Sequence, residues 1–323
     1  MRSVIRLGAA ALALVAGLTA CGGERQSTSG DALHNSGRLS IATGNTTGVY
    51  YQLGGGYADL LTKNLPGYQV TAEATGASVE NIQRVVRGDS DIAFTLADAA
   101  SDAATGKGAF TSPQPIKALA RIYTNYTHVI ARADAGIRTV ADMKGKRVST
   151  GSPNSGTENI ALRLLKAAGL NPDSDIKKQA LSLPETVQGV KDGTLDALFW
   201  SGGLPTGGIT DLTTSLKDDV VFVPIDELLP KLNAEYGPVY QATTLKKDVY
   251  ATAADVPTIA VPNLLIVSEK MPADLAGNLT KILFEKKAEL EKVHPEAKNI
   301  SRDEAAKTDP VPLHDGAKKY LQP

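Results

Sequence analysis

From about residue 38 onward, short apolar runs alternate with apolar positions at helical spacing. Arg38-Leu-Ser-Ile-Ala-Thr43 reads as a strand, followed by the small-residue turn Gly44-Asn-Thr-Thr-Gly48 and a helical stretch over residues 49–62. Val79, Ile82, Val85 and Val86 recur at helical spacing, and Gly88 is placed to stop that helix. Residues 92–96 form a continuous apolar run suited to a buried strand. Arg147-Val-Ser-Thr150 predicts another strand, with a turn over 152–156 and a helix over 160–168 that Gly169 ends. Near the C-terminus, Leu275, Leu279, Ile282, Leu283 and Leu290 share one side of a single long amphipathic helix over 273–293, with Pro272 at its start and Pro295 beyond it. Strands alternating with helices in this way predict an α/β architecture.

Two stretches resemble each other. Residues 79–94 align without gaps on residues 184–199, with Glu80/Glu185, Gln83/Gln188, Val85/Val190, Gly88/Gly193, Asp91/Asp196 and Phe94/Phe199 identical. Helix, glycine and strand connections look alike in many α/β proteins, but six identities in sixteen positions favour two lobes of similar build. In such lobes a ligand binds beyond the carboxyl ends of parallel strands, near helix N-termini. That rule selects residues 44–51, 96–98, 152–158 and 200–203, which two facing lobes would bring to one cleft.

The first 23 residues follow a different pattern. Arg2 and Arg6 precede an apolar stretch over 7–20, shorter than the roughly 20 residues that span a bilayer, which reads as a signal peptide. Leu18-Thr-Ala-Cys21 resembles a bacterial lipobox, so Cys21 is expected to be lipidated. A conventionally cleaved leader with an incidental cysteine is the alternative, but the only cysteine of the chain falls at this position. Residues 22–37 are then a polar tether, and the folded part is expected outside the cytoplasm. With 34 basic against 35 acidic residues, the near-neutral balance excludes affinity for nucleic acid through overall positive charge. One cysteine also excludes an intrachain disulfide and a multi-cysteine metal centre.

Ser155-Gly-Thr-Glu158 fits a capping box in which Ser155 and Glu158 each accept from the other's amide. Amides left free at that helix start, together with the helix dipole, form an anion receptor that Gly156 allows a ligand to approach. Thr47-Gly48 is the matching turn of the other lobe. Tyr50 and Tyr51 lie about 100° apart on a helix, so one packs inward and the other faces the cleft, with the sequence leaving open which. Gly54-Gly55-Gly56 implies close backbone approach or a helix break. Trp200 stands at a strand end beside Ser201-Gly202-Gly203, as suited to a cleft wall as to the core. Ser78 and Asn81 sit at a helix start, where capping is the simpler role.

None of the common nucleophile-elbow, Walker, dinucleotide or zinc-protease motifs occurs. His34, His128, His294 and His314 are scattered and read as surface or linker residues, and the Lys144–Arg147 and Glu285–Lys287 charge runs as solvated faces. Binding without turnover fits this inventory better than catalysis.

Gly44-Asn-Thr-Thr-Gly-Val-Tyr-Tyr51 resembles the opening motif of the TAXI family, the second class of receptors for TRAP transporters. Thr139 to Val148, Gly151-Ser-Pro-Asn-Ser-Gly-Thr-Glu158, Asp192 to Pro205 and Val256 to Pro262 follow in the same order. The resemblance implies a two-lobed periplasmic-binding-protein type II fold with hinge strands, comprising residues 38–127 plus 262–323 as lobe 1 and 128–261 as lobe 2. It also implies a lipid-anchored monomer that captures a glutamate-, glutamine- or 2-oxoglutarate-like anion and delivers it to a sodium-coupled TRAP-type permease, with no metal or other cofactor. Expected ligand residues are Thr43, Gly44, Asn45, Thr47, Gly48, Val49, Tyr50, Tyr51, Ser78, Asn81, Asp98, Ser152, Asn154, Ser155, Gly156, Thr157, Glu158, Trp200, Gly202 and Gly203. Many members of that family carry a polar residue, often glutamine, where this chain has Leu96. A secreted enzyme on the same fold, or an anchored ligand sensor for a membrane kinase, are the alternatives.

Overall fold

The computed structural model describes residues 37–322, so the leader, Cys21 and the tether through residue 36 lie outside the described residues. Gly37, expected as the last tether residue, already belongs to the first strand, where it pairs with Tyr68. The ten strands are β1 (Gly37–Ala42), β2 (Tyr68–Glu73), β3 (Ile92–Leu96), β4 (Ile116–Arg132), β5 (Arg147–Ser149), β6 (Lys177–Gln179), β7 (Ala197–Gly202), β8 (Val220–Phe222), β9 (Gln241–Leu245) and β10 (Val256–Ser268). They run in the order β2-β1-β3-β10-β4-β7-β5-β6, with β8 beside β4 and β9 beside β10.

The order is nearly a palindrome. β1 lies parallel between β2 and β3, and β5 lies parallel between β6 and β7. Each triplet is flanked by an antiparallel strand, β10 against β3 and β4 against β7, and these two strands pair with each other in the middle. β4 pairs with β10 up to Tyr126 and with β7 from Tyr126 onward, so one 17-residue strand serves both halves.

The helices that matter here are α1 (Val49–Asn64), α2 (Ser78–Arg87), α3 (Ala97–Thr105), α4 (Gly156–Ala167), α5 (Leu183–Lys191), α6 (Gly207–Leu216), α7 (Leu229–Tyr236), α8 (Lys247–Tyr250), α9 (Ala273–Glu285) and α10 (Lys287–Val293). The repeat seen in sequence corresponds to α2–β3 and α5–β7. Gly88 and Gly193 end the two helices in the left-handed region, at φ 77° and 69°. Asp91 accepts a bond from the Ser40 amide at 2.8 Å and Asp196 accepts from the Arg147 amide at 2.7 Å, so each aspartate fastens the central strand of its own half.

The triple glycine does not break its helix: α1 runs unbroken for 16 residues. A Cβ on Gly54 would stand 2.4 Å from Thr43 Cγ2, and one on Gly56 would stand 2.8 Å from Val293 Cγ2, whereas Gly55 meets nothing. Two of the three glycines therefore permit close approach. The long C-terminal helix expected over 273–293 is instead two helices, broken at Lys286 (φ −103°, ψ 13°). Leu283 and Leu290 are seven residues apart and both buried, so the apolar stripe survives the bend and hides it in the sequence. The bend brings α10 against the glycine face of α1.

Candidate functional site

At the carboxyl ends of the parallel strands a partly open cavity of about 30 Å³ lies between the two halves. All four stretches selected by the strand-end rule reach it. Gly44, Asn45, Gly48, Val49 and Tyr50 come from the β1–α1 turn, Leu96 from the end of β3, Ser152 and residues 155–157 from the start of α4, and Trp200 to Gly202 from the end of β7. The lining also includes Gly76, Ala77 and Ser78, and Tyr123 and Asn125 from β4. No lining residue carries a charged side chain.

Four helices begin here. The N-cap of α1 is Gly48, that of α2 is Ala77, that of α3 is Leu96 and that of α4 is Ser155. Ala77 holds φ 87° and ψ −149°, a region that costs a side-chain-bearing residue about 1–3 kcal/mol and that collects at functional sites. Ser155 caps α4 by accepting from the Glu158 amide at 2.9 Å, as expected. The return half of the capping box is different: the Ser155 amide is taken by the Ser152 carbonyl at 3.1 Å, and Glu158 accepts from the Asn154 amide instead, at 2.9 Å. Glu158 thus braces the loop from outside the cavity. A Cβ on Gly156 would fall 2.5 Å from Ser78 Oγ and 2.6 Å from Leu96 Cδ1, so this glycine permits contact between the two halves.

Neutral side chains tie the cavity walls together. Asn45 donates to Ser152 Oγ at 3.1 Å and accepts from the Leu183 amide at 2.7 Å, joining the β1–α1 turn to the opposite half. Tyr50 donates to Asn263, whose amide donates to Asn125 Oδ1 at 2.8 Å. Ser201 donates its backbone amide to Thr157 Oγ1 at 3.2 Å. The Trp200 indole bonds Thr206 Oγ1 at 3.0 Å, and its ring lies over Gly48, where a Cβ would be 3.5 Å away.

Of the two adjacent tyrosines, Tyr50 faces the cavity, while Tyr51 is 37% exposed and does not line it. Burial pushes the hydroxyls of Tyr50 and Tyr123 well above the ordinary phenol range, so both remain protonated. The Tyr123 hydroxyl is buried and has no hydrogen-bond partner among the described residues.

Other expected ligand residues support the walls without reaching the cavity. Asn81 is fully buried and donates to the carbonyls of Ala42, Thr43 and Phe94, locking β1 to β3. Thr43 bonds the Glu73 carbonyl and fills the hollow over Gly54. Thr47 faces α6 at Gly207 and Gly208, and Asn154 holds the left-handed φ of 58° in the loop before α4. Gly203 leaves room for the ring of Tyr123, which a Cβ would approach to 2.9 Å. Asp98 lies behind the cavity. It accepts from Asn159 at 3.0 Å and Tyr240 at 2.9 Å, and stands 3.6 Å from Arg163, which also pairs with Asp102.

The described histidines are not surface residues. His294 and His314 are buried and accept from the amides of Glu296 and Gly316. His128 lies in β4 against Phe222 and Tyr250, and burial pushes its pKa down to about 4. In the basic run, Arg147 pairs with Asp196, holding that carboxyl below the usual carboxylate range.

Tyr123 and Asn125 escaped sequence reasoning, because nothing local marks two positions in a long strand as cavity-facing. Gly76-Ala77-Ser78 had a usable signal: a small-residue run between a strand and a helix, as in residues 44–48.

Solved structures share this fold at low identity. A binding-protein component of an ABC phosphonate transporter from Pseudomonas aeruginosa is 15% identical, with 82% of each chain covered and a TM-score of 0.56. A Prochlorococcus marinus protein solved in complex with methylphosphonate is 12% identical over 88% of this chain and 98% of its own, also at 0.56. A Xanthomonas citri protein bound to ATP is 14% identical over 89% and 95%, at 0.51. The architecture is the two-lobed type II periplasmic-binding-protein fold. The family model described as NMT1-like matches residues 41–322, and the chain belongs to the NMT1-like family.

Proposed function

We propose that the protein is an extracytoplasmic solute-binding receptor that captures a small organic anion between its lobes and delivers it to a membrane transporter. The observation that carries this reading is the cavity itself, formed by both halves and lined by four helix N-termini and neutral polar side chains. Partial positive charge at helix N-termini suits an anion. The jaws are residues 38–127 with 262–323 and residues 128–261, hinged on β4 and β10. A ligand that touches both jaws favours the closed arrangement by its additional contacts there.

The reading is of a binding protein rather than an enzyme. Among the described residues, the lining serines bond to amides and to Asn45, with no histidine, lysine or carboxylate among their partners. Attachment through Cys21, monomeric action and delivery to a sodium-coupled TRAP-type permease follow from the lipobox and the TAXI-like motifs. A second reading, delivery to an ABC transporter, is favoured by the Pseudomonas aeruginosa structure, which is a component of such a transporter.

Native mass spectrometry of the purified chain, followed by a thermal-shift screen of glutamate, glutamine and 2-oxoglutarate, tests the receptor reading. A true ligand at a hundredfold excess over its Kd adds about 2.7 kcal/mol of apparent stability. Gly156→Val should weaken that ligand by roughly tenfold or more, because the added carbons meet Ser78 and Leu96 and hold the halves apart. Undiminished affinity in isothermal titration would remove the α4 start from the site.

A further inference from the structure

A second space lies wholly within the jaw of residues 128–261, between the end of α6, β8, α8 and the start of β10. It is an open groove of about 890 Å³, room enough for a small molecule, whose sites run to roughly 300–1,000 Å³. Its apolar wall is Phe222 and Tyr250, whose rings stack with centroids 6.0 Å apart, together with Val221, which is 39% exposed. Behind those two rings stands the buried His128, with neither ring nitrogen hydrogen-bonded among the described residues. The lining carries Asp218, Asp248 and Asp255 against one base, Lys217. Asp255 is matched by Lys246 at 2.8 Å, whereas Asp218, Asp248 and Lys217 form no ion pair among the described residues. Backbone strain collects here as well. Of the four non-glycine residues at positive φ among the described residues, Ala77 and Asn154 belong to the loops around the interlobe cavity, and Lys217 and Ala251 line this groove.

Helix α6 joins the groove to the interlobe cavity. Its N-cap, Thr206, accepts from the Trp200 indole at 3.0 Å and donates its amide to the Tyr250 hydroxyl at 2.8 Å, while Thr213 and Thr214 of its last turn line the groove. The electropositive end of the helix dipole therefore lies beside the cavity wall. The electronegative end, whose last carbonyls lack helical partners, opens on the groove.

We infer that this groove is a second binding site, for a small organic cation with an aromatic body. The ammonium is drawn to the end of α6, where two unmatched carboxylates and the helix carbonyls outweigh the single Lys217. The ring lies against Val221, Phe222 and Tyr250, and the aromatic faces add to the attraction for the cation. Burial keeps His128 neutral behind them, so the wall adds no opposing positive charge. The inference stands apart from the receptor reading, because no residue of this groove lines the interlobe cavity.

Isothermal titration of the full chain with 2-phenylethylamine and with 3-phenylpropionate, which share a skeleton and differ in charge, tests the site. The amine should bind at least about tenfold tighter than the acid, and the exposed pair Asp218→Asn with Asp248→Asn should weaken it about tenfold with Tm unchanged. Trp200 is the only tryptophan of the chain, so its emission should change on binding through Thr206 and Tyr250. Tyr250→Phe keeps the ring and removes the hydroxyl, so the amine should bind within about threefold of the parent while that emission change disappears. Equal or tighter binding of the acid, full amine affinity in the double variant, or no binding of either compound overturns the groove site and leaves the receptor reading standing. An emission change that persists in Tyr250→Phe overturns the link to Trp200.

Discussion

The first turn of α4 and the two turns that follow both face the opposite half of the molecule, through opposite chemistry. At residues 155–157 the contact is a neutral cavity of hydroxyls, amides and glycine. At Asn159 and Arg163 it is a dry ion-pair seam. The Arg163 side chain is 7% exposed and meets Asp98, which is fully buried, and Asp102. Tyr240 bonds both Arg163 and Asp98, and the guanidinium lies 4.0 Å over the ring of Tyr236. Such a seam gains attraction but costs desolvation, so it adds little net adhesion while it penalises any misalignment of the halves. Formal charge is thus used to set register, and neutral donors are kept for recognition.

The contrast can be broken most forcefully at Arg163. Arg163→Met leaves two carboxylates buried without their cation, and urea unfolding should show a loss of about 3–5 kcal/mol; a loss under 1 kcal/mol would mean that the seam is solvated. A pH series separates the regions next. An unfolded histidine takes a proton near its ordinary pKa, whereas buried His128 resists until about pH 4. Stability is therefore complete above pH 6.5 and declines as pH falls toward 4, by roughly 3 kcal/mol over that window. His294 and His314, also lowered by burial, act in the same direction, and Asp102, which burial raises, acts against it. No cavity-lining side chain titrates there, so affinity for a strong acid anion should remain flat between about pH 5.5 and 8 while Tm falls. Parallel decline of both would place a titrating group in the site. The smallest effect belongs to the cavity: Tyr123→Phe deletes an unpartnered hydroxyl, so chemical denaturation should show stability unchanged or raised by up to about 1 kcal/mol.

What the sequence made legible was local. β3, the glycine stops at Gly88 and Gly193 and the matching of Asp91 with Asp196 follow from patterns within sixteen residues, although the strands those aspartates fasten do not, and the strand-end rule led to most of the cavity wall. What it concealed depends on distant partners. Tyr50, Asn263 and Asn125 meet across more than a hundred residues of chain. Glu158 had the right spacing for a reciprocal cap, but the Ser152 carbonyl had already claimed the amide it needed. The histidines were misjudged because polarity alone does not reveal a ring packed between Phe222 and Tyr250.

The placement of β10 bears on the order in which the chain can be completed. β3 is buried along its whole length, yet one of its neighbours is β10, some 160 residues later in sequence. As the polypeptide emerges from the ribosome, β3 therefore keeps a bare edge until almost the entire second half has been synthesised. Finishing the first half last gives a nascent protein an extended interval in which it remains pliable.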